Sequence, residues 1–219
     1  MTEAAFQGMI MPVNLNIRSY TGGMAQTNAY LLGEGDSCLL IDAPLGTCEW
    51  LESLNELPTD LLLTHQHYDH IEDVAKLAAK GVRLHAYSPY SQDLTLEKLL
   101  QQSGISITVT PYTIDTLLEG KTEIEVGGIK FSVAHVPGHS PDSVVFTTGD
   151  FAFVGDTLFA GSVGRADLPE GDMDLLIRGI RKKLLILEAS TRVFPGHGPE
   201  TSIAAERQSN PYLSFSLPS

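Results

Sequence analysis

The chain has 219 residues, 42% of them apolar and 19% charged, which suits a globular protein whose core needs neither disulfide nor metal simply to fold. Its formal net charge of −13 argues against nucleic acid as a partner, because phosphate binding draws its affinity from a basic face. No stretch approaches ~18 continuous apolar residues, so no membrane span is expected, and residues 1–20 lack the basic start and apolar core of a secretory leader, which points to a cytoplasmic protein.

In chain order, strands are expected over 13–20 and 28–32, around a Gly22-Gly23 turn, and over 37–41, ending at Asp42. A helix over 47–57 is stopped by Pro58, and a buried strand over 60–63 runs straight into Thr64 and His65. Helices over 71–80 and 88–102 flank a strand at 82–86, with Gly81 and Gly104 after them. The second half begins with hairpins, 122–126 with 129–136 and 144–148 with 151–154. A helix over 172–188, a strand over 191–194 and a last helix over 203–208 follow. Each half therefore runs from hairpin strands to alternating helix and strand. That order implies an α/β (α+β) protein, two mixed sheets packed face to face with helices outside, in one domain over 1–219. Cys38 and Cys48 are too few for a disulfide framework, and neither is near the histidine motifs in sequence.

Chemistry concentrates in four places. In His65-Gln66-His67-Tyr68-Asp69-His70, three histidines and an aspartate supply the nitrogen and oxygen ligands that zinc and iron favour. In a tight loop after a strand, His65 and His67 can point to one side while Asp69 and His70 reach a second position. The others are Pro137-Gly138-His139-Ser140-Pro141, Gly155-Asp156-Thr157 and Pro195-Gly196-His197-Gly198-Pro199. A lone His or Asp in a turn is ordinarily a turn residue. Here each follows a short apolar strand and enters a Gly- or Pro-marked loop, and strand ends along one sheet edge gather distant residues into one crevice.

This set resembles the metallo-β-lactamase superfamily from about Asn28 to His197. Within it, 154–159 followed by 161–167 are similar to the glyoxalase II group (hydroxyacylglutathione hydrolases) and its short single-domain relatives, and the tail 206–213 resembles those compact relatives. The resemblance implies a four-layer αββα sandwich and two divalent metal ions, zinc first, with iron or manganese as alternatives. It implies that His65, His67 and His139 bind one ion, that Asp69, His70 and His197 bind the other, and that Asp156 bridges them. Asp42 would support the metal loop. A shared hydroxide would attack a small-molecule thioester or ester, S-acylglutathione or a related acyl thioester, with Asp69 both binding metal and orienting the nucleophile.

The chain departs from that group in three ways. Ile71-Glu72-Asp73 stands where small residues are usual, and Asp142 where glycine is common; these acids are expected to face solvent. Only residues 198–219 follow His197, so the helical region that supplies basic residues for glutathione has no counterpart. Arg165 is a candidate for a supporting role, or braces its own loop through carboxylates. The rival reading is a mononuclear iron persulfide dioxygenase using His65, His139 and Asp156. A lactonase and a non-catalytic metal-binding protein are further alternatives. His135 could support the site, and His85 is expected to be a packed or surface residue.

Overall fold

The computed structural model describes residues 15–213; the start of the first expected strand at 13 and the leader reading of 1–14 lie outside them. One sheet contains β1 (Ile17–Gly22), β2 (Thr27–Leu32), β3 (Leu39–Ile41), β4 (Asp60–Leu62), β5 (Arg83–Ala86) and β6 (Thr116–Leu117), hydrogen-bonded in that order. Its first three strands are antiparallel and its last four parallel. Then follow β7 (Glu123–Val126), β8 (Ile129–His135), β9 (Val144–Thr148), β10 (Phe151–Gly155), the small hairpin β11 (Leu158–Phe159) and β12 (Ser162–Val163), β13 (Arg192–Pro195) and β14 (Thr201–Ser202). The second sheet has the order β14-β13-β10-β9-β8-β7, with β10 and β13 parallel.

Strand side chains alternate between faces, and that alternation builds the layers. Leu32, Leu39, Ile41 and Leu62 face inward and meet Phe131, Phe146, Phe153 and Phe194 of the second sheet. Leu31, Leu40 and Leu61 face the other way, onto Leu51 of α1 (Thr47–Leu54) and onto Val74 and Leu77, which lie beyond the short α2 (Tyr68–Ile71) in α3 (Val74–Ala79). Ala152, Val154 and Val193 of the second sheet turn outward beneath helices that come after α4 (Glu97–Gln102). Those are α5 (Met173–Lys183), through Leu176, Ile177 and Ile180, and α6 (Ile203–Ser209), through Ile203. The result is a four-layer αββα sandwich. Isolated helices of four to eleven residues are marginal in water, so these hold by the burial of their inner faces.

Several expected boundaries move. The helix expected over 71–80 is two helices, and the first starts inside the histidine motif. Asp73 breaks it: its carboxylate turns back to accept hydrogen bonds from the Gly46 and Cys48 amides at 3.0 and 2.9 Å, anchoring the start of α1. The helix expected over 88–102 shrinks to α4, because Leu96 takes a left-handed conformation (φ 62°) that ends any helix approaching from Pro89. The helix expected over 172–188 stops at Lys183. The two-residue strands β6, β11, β12 and β14 are too short to show periodicity. No helix among the described residues is long and apolar enough to cross a membrane.

Candidate metal centre

β4, β8, β10 and β13 each deliver one of the four motifs, and the loops after them bring all seven singled-out residues together. Ligand atoms of His65, His67 and His139 lie within 4.8 Å of one another, as do those of His65, His70 and Asp156, and those of Asp69, His70 and His197. Asp156 stands between the groups: Oδ1 is 3.3 Å from His70 Nε2, while Oδ2 is 3.4 Å from His139 Nε2 and 3.3 Å from His197 Nε2. Asp69 Oδ2 is 3.3 Å from His197 Nε2 and accepts a hydrogen bond from Thr27 Oγ1 at 2.7 Å. Gly196 makes room for this approach; a Cβ there would overlap Asp156 Oδ1 and His70 Cε1.

Outward-facing ring nitrogens fix the inward ones. His70 Nδ1 lies 2.8 Å from Asp42 Oδ2, His139 Nδ1 2.8 Å from the Arg165 carbonyl, and His197 Nδ1 3.1 Å from the Ala25 carbonyl. Each such contact sets the tautomer that leaves Nε2 free as a ligand. Asp42 does more: its Oδ1 and Oδ2 accept from the Thr64 amide and hydroxyl at 2.8 and 2.6 Å, so one carboxylate holds the start of the histidine loop and its last histidine.

Among the described residues, three of the buried side-chain atoms without a hydrogen-bond partner fall in this cluster: His70 Nε2, His139 Nε2 and Asp156 Oδ1. A buried unmatched polar atom costs about 1–3 kcal/mol, so three in one cluster are a liability unless a cation satisfies them. Imidazole and carboxylate are the donors that divalent zinc or iron accepts, and the residues fit such ions.

The charges divide the cluster. Burial, with the neighbouring imidazoles, pushes His65 well below the ordinary histidine range; burial pushes His67 down to about 3 and also lowers His139. Burial opposes the cationic form of His70 too, yet Asp156, Asp42 and Asp69 outweigh it and raise His70 well above the ordinary value. Burial opposes the cationic form of His197 as well, but the hydrogen bonds its ring donates to the Asp156 and Asp69 carboxylates overcome it and raise His197 to about 10. Without metal, one half is thus three neutral imidazoles and the other two imidazolium groups among carboxylates.

Other expectations sort themselves by contact. Asp73 and Asp142 are buried, 0% and 3% exposed, which overturns the expectation that these acids face solvent. Glu72, half-buried, accepts from the Leu45 amide at 3.1 Å. Asp142 accepts from Ser140 Oγ at 2.5 Å and from Gln66 Nε2 at 3.3 Å, and Gln66 Oε1 accepts from Tyr112 Oη at 3.0 Å. Burial, the dominant cause, raises the Asp142 carboxyl to about 6. Arg165 braces its own loop through Asp167, at 2.7 and 2.8 Å. His135 stacks on Tyr87, 3.9 Å between ring centres, and its Nε2 meets the Pro141 carbonyl, away from the cluster. His85 packs against Asp60 at 2.7 Å. Cys38 and Cys48 are buried and unlinked. Thr27 and Thr64 were not foreseen; a lone threonine at a strand end carries no pattern that would reveal it.

A cavity of about 490 Å³ opens over the cluster, reaching His67, Asp69, His139, Asp156 and His197. A family model described as the metallo-β-lactamase superfamily matches residues 22–197. The probable metallo-hydrolase YqgX of Bacillus subtilis is 37% identical over 206 residues, 89% of this chain and 96% of its own. The hydroxyacylglutathione hydrolase GloC of Haemophilus influenzae is 34% identical over 198 residues, 86% of this chain and 93% of its own. Among solved structures, the BLEG-1 B3 metallo-β-lactamase superposes with a TM-score of 0.82 at 33% identity, over 91% of this chain and 100% of its own. TTHA1623 in a di-iron-bound form superposes at 0.76 and 36% identity, over 90% and 100%. Fold, cluster and relatives agree: the chain belongs to the metallo-β-lactamase superfamily.

Proposed function

We propose that the protein is a metal-dependent hydrolase that cleaves an acyl thioester, S-acylglutathione or a related small molecule. The observation that carries this reading is the convergence of seven donors, three of their buried atoms unpartnered, beneath a cavity of small-molecule size. Similarity to GloC along 86% of the chain supports a thioester as the substrate.

In this reading His65, His67 and His139 would hold one divalent ion and Asp69, His70 and His197 a second, with Asp156 placed to serve both. Zinc is the expected ion, with iron and manganese admitted by the same donors. When bound, such ions supply a water of lowered pKa and a Lewis acid for the carbonyl oxygen. Asp42, the Arg165 carbonyl and the Ala25 carbonyl keep the imidazoles aimed. Asp69, held by Thr27 and lining the cavity, orients the attacking water. A thiolate leaves readily, since ordinary thiol pKa values lie near ~8.5, so cleavage demands no strong acid on the leaving side.

The test is elemental analysis of protein purified without added metal, paired with assays of thioester hydrolysis and of oxygen uptake with a persulfide. Two ions per chain with thioester turnover is the expected result. One iron per chain with persulfide-dependent oxygen uptake would overturn it.

A further inference from the structure

Two separate segments make the apolar part of the cavity wall, beside Ala25 and Tyr68. One is the start of α4, which contributes Leu96, Leu99 and Leu100; the other is the β11–β12 hairpin and the loop beyond it, which contribute Phe159, Val163 and Leu168.

Each segment is anchored so that these side chains face the site. Thr95 and Glu97, either side of Leu96, are 0% and 5% exposed. The Glu97 carboxylate accepts from Gln101 Nε2 at 3.0 Å and from the Val109 amide at 3.3 Å. With both neighbours turned into the protein, Leu96 adopts φ 62°, a conformation a leucine takes only where its surroundings impose it. The Tyr68 amide donates to the Thr95 carbonyl at 3.0 Å, tying this wall directly to the histidine loop. The hairpin is held from the far end of the chain: Glu206 Oε2 accepts from the Gly161 amide at 3.0 Å, and Asn210 Nδ2 donates to the Ser162 carbonyl at 2.9 Å. The Phe159 ring lies 6.1 Å from that of His197, so an apolar surface begins beside the cluster.

The charges point the same way. Outside the histidines, the one cation among the described residues lining the cavity is Arg165, and its guanidinium is already engaged by both oxygens of Asp167. Away from the histidine cluster, a ligand bringing its own carboxylates, as a glutathione thioester does, would meet leucines and one exposed arginine that already pairs with Asp167. An alkyl chain would meet a surface it can dehydrate.

We propose that this cavity selects an uncharged, medium-length saturated acyl chain carried on a thiol of low anionic charge, with Leu96, Leu99, Leu100 and Phe159 determining that specificity. The proposal rests on the thioesterase reading above. It names the half of the substrate that the site recognises.

The test uses the metal-loaded protein and acetyl, butyryl and hexanoyl thioesters of N-acetylcysteamine, with the same acyl groups on glutathione. Full dehydration of a methylene corresponds to roughly fourfold in a rate or affinity. Leu99 is 37% exposed, so the chain gains less than that at the outer edge, and kcat/KM should rise at least ~10-fold from acetyl to hexanoyl. Glutathione should give no advantage as the carrier. Leu99→Gln, at a site open enough to tolerate it, should flatten the acetyl-to-hexanoyl ratio. A flat ratio in the parent protein, or a tenfold preference for glutathione, would overturn the proposal while leaving the hydrolase reading intact. If no thioester is cleaved, the thioesterase reading fails, and the cavity is tested by calorimetric titration with acetate and hexanoate. At least ~10-fold tighter hexanoate would uphold the apolar site, and equal affinities would sink it.

Discussion

Asp42 Oδ2 lies 2.8 Å from His70 Nδ1, and both side chains are almost wholly shut off from water. Asp42 has φ 56°, a conformation that asparagine also tolerates, so Asp42→Asn removes the charge without forcing the backbone to move. Loss of that charge makes His70 a weaker ligand and releases its tautomer. Metal affinity at the position shared with Asp69 and His197 should fall about 10–100-fold, as read by competition with a chelator. An unchanged affinity would show that Asp42 serves only the backbone at Thr64.

Metal loading should release protons. His70 lies well above, and His197 at about 10, while His65, His67 and His139 are already neutral near pH 7. Filling both positions should therefore expel about two protons from the histidines at pH 7, besides any proton that a bound water loses. Titration calorimetry in buffers of different ionisation enthalpy counts them, and a count near zero would contradict the charge pattern. The linkage has a definite sign. His197 is raised, so its contribution to metal-free stability is complete below the ordinary histidine range and is lost as pH rises through about 10. Asp69 and Asp156 are lowered, so their contribution is lost as pH falls toward acid. Metal affinity should rise with pH across the same alkaline window.

Asp156→Ala removes the carboxylate that faces His70, His139 and His197 together. Hydrolysis should fall at least ~10³-fold, since the several kcal/mol that metal catalysis supplies depends on both ions being held. Circular dichroism should still report a folded chain. Turnover near that of the parent protein would refute the two-ion mechanism.

Gln66 and Asp142 join the loops carrying His65, His67 and His139, at 3.3 Å. Gln66→Ala should weaken the three-histidine position about tenfold and spare the other, a split that a cobalt titration resolves. Asp142 also makes a prediction about pH. Its folded value of about 6 exceeds the ordinary 3.8, so folding favours the protonated acid. The protein therefore gains stability as pH falls from about 6 toward 4, by at most ~3 kcal/mol, and Asp142→Asn lacks that gain. Denaturation of the two proteins at pH 4 and pH 7 gives the difference directly. Parallel curves would mean that Asp142 is not buried as an acid.

What was legible in the chain followed how local each signal is. Apolar runs such as Leu61-Leu62-Leu63 announce a buried strand, and a strand leading into His65 announces the site, because both are contiguous. The break between α2 and α3 was not legible, since it depends on Asp73 reaching the amides of Gly46 and Cys48, distant in sequence. The burial of Asp142 is hidden in the sequence for the same reason: its partner Gln66 lies 76 residues away, and only the fold brings them together. Thr27 supports Asp69 across 42 residues and left no trace at all in the local pattern.

Thr27 also forms an isolated bridge with His197, and Asn28 Nδ2 donates to the carbonyls of Pro195 and Gly198, the latter 170 residues along the chain. The second strand thus clasps the last ligand loop. Contacts of such long range carry the entropy cost of closing a large loop. The centre becomes complete only when this seam shuts. Because His197 sits on this seam, metal loss should track local opening of the Thr27–His197 junction, read by hydrogen exchange beside chelator-driven release, rather than global unfolding.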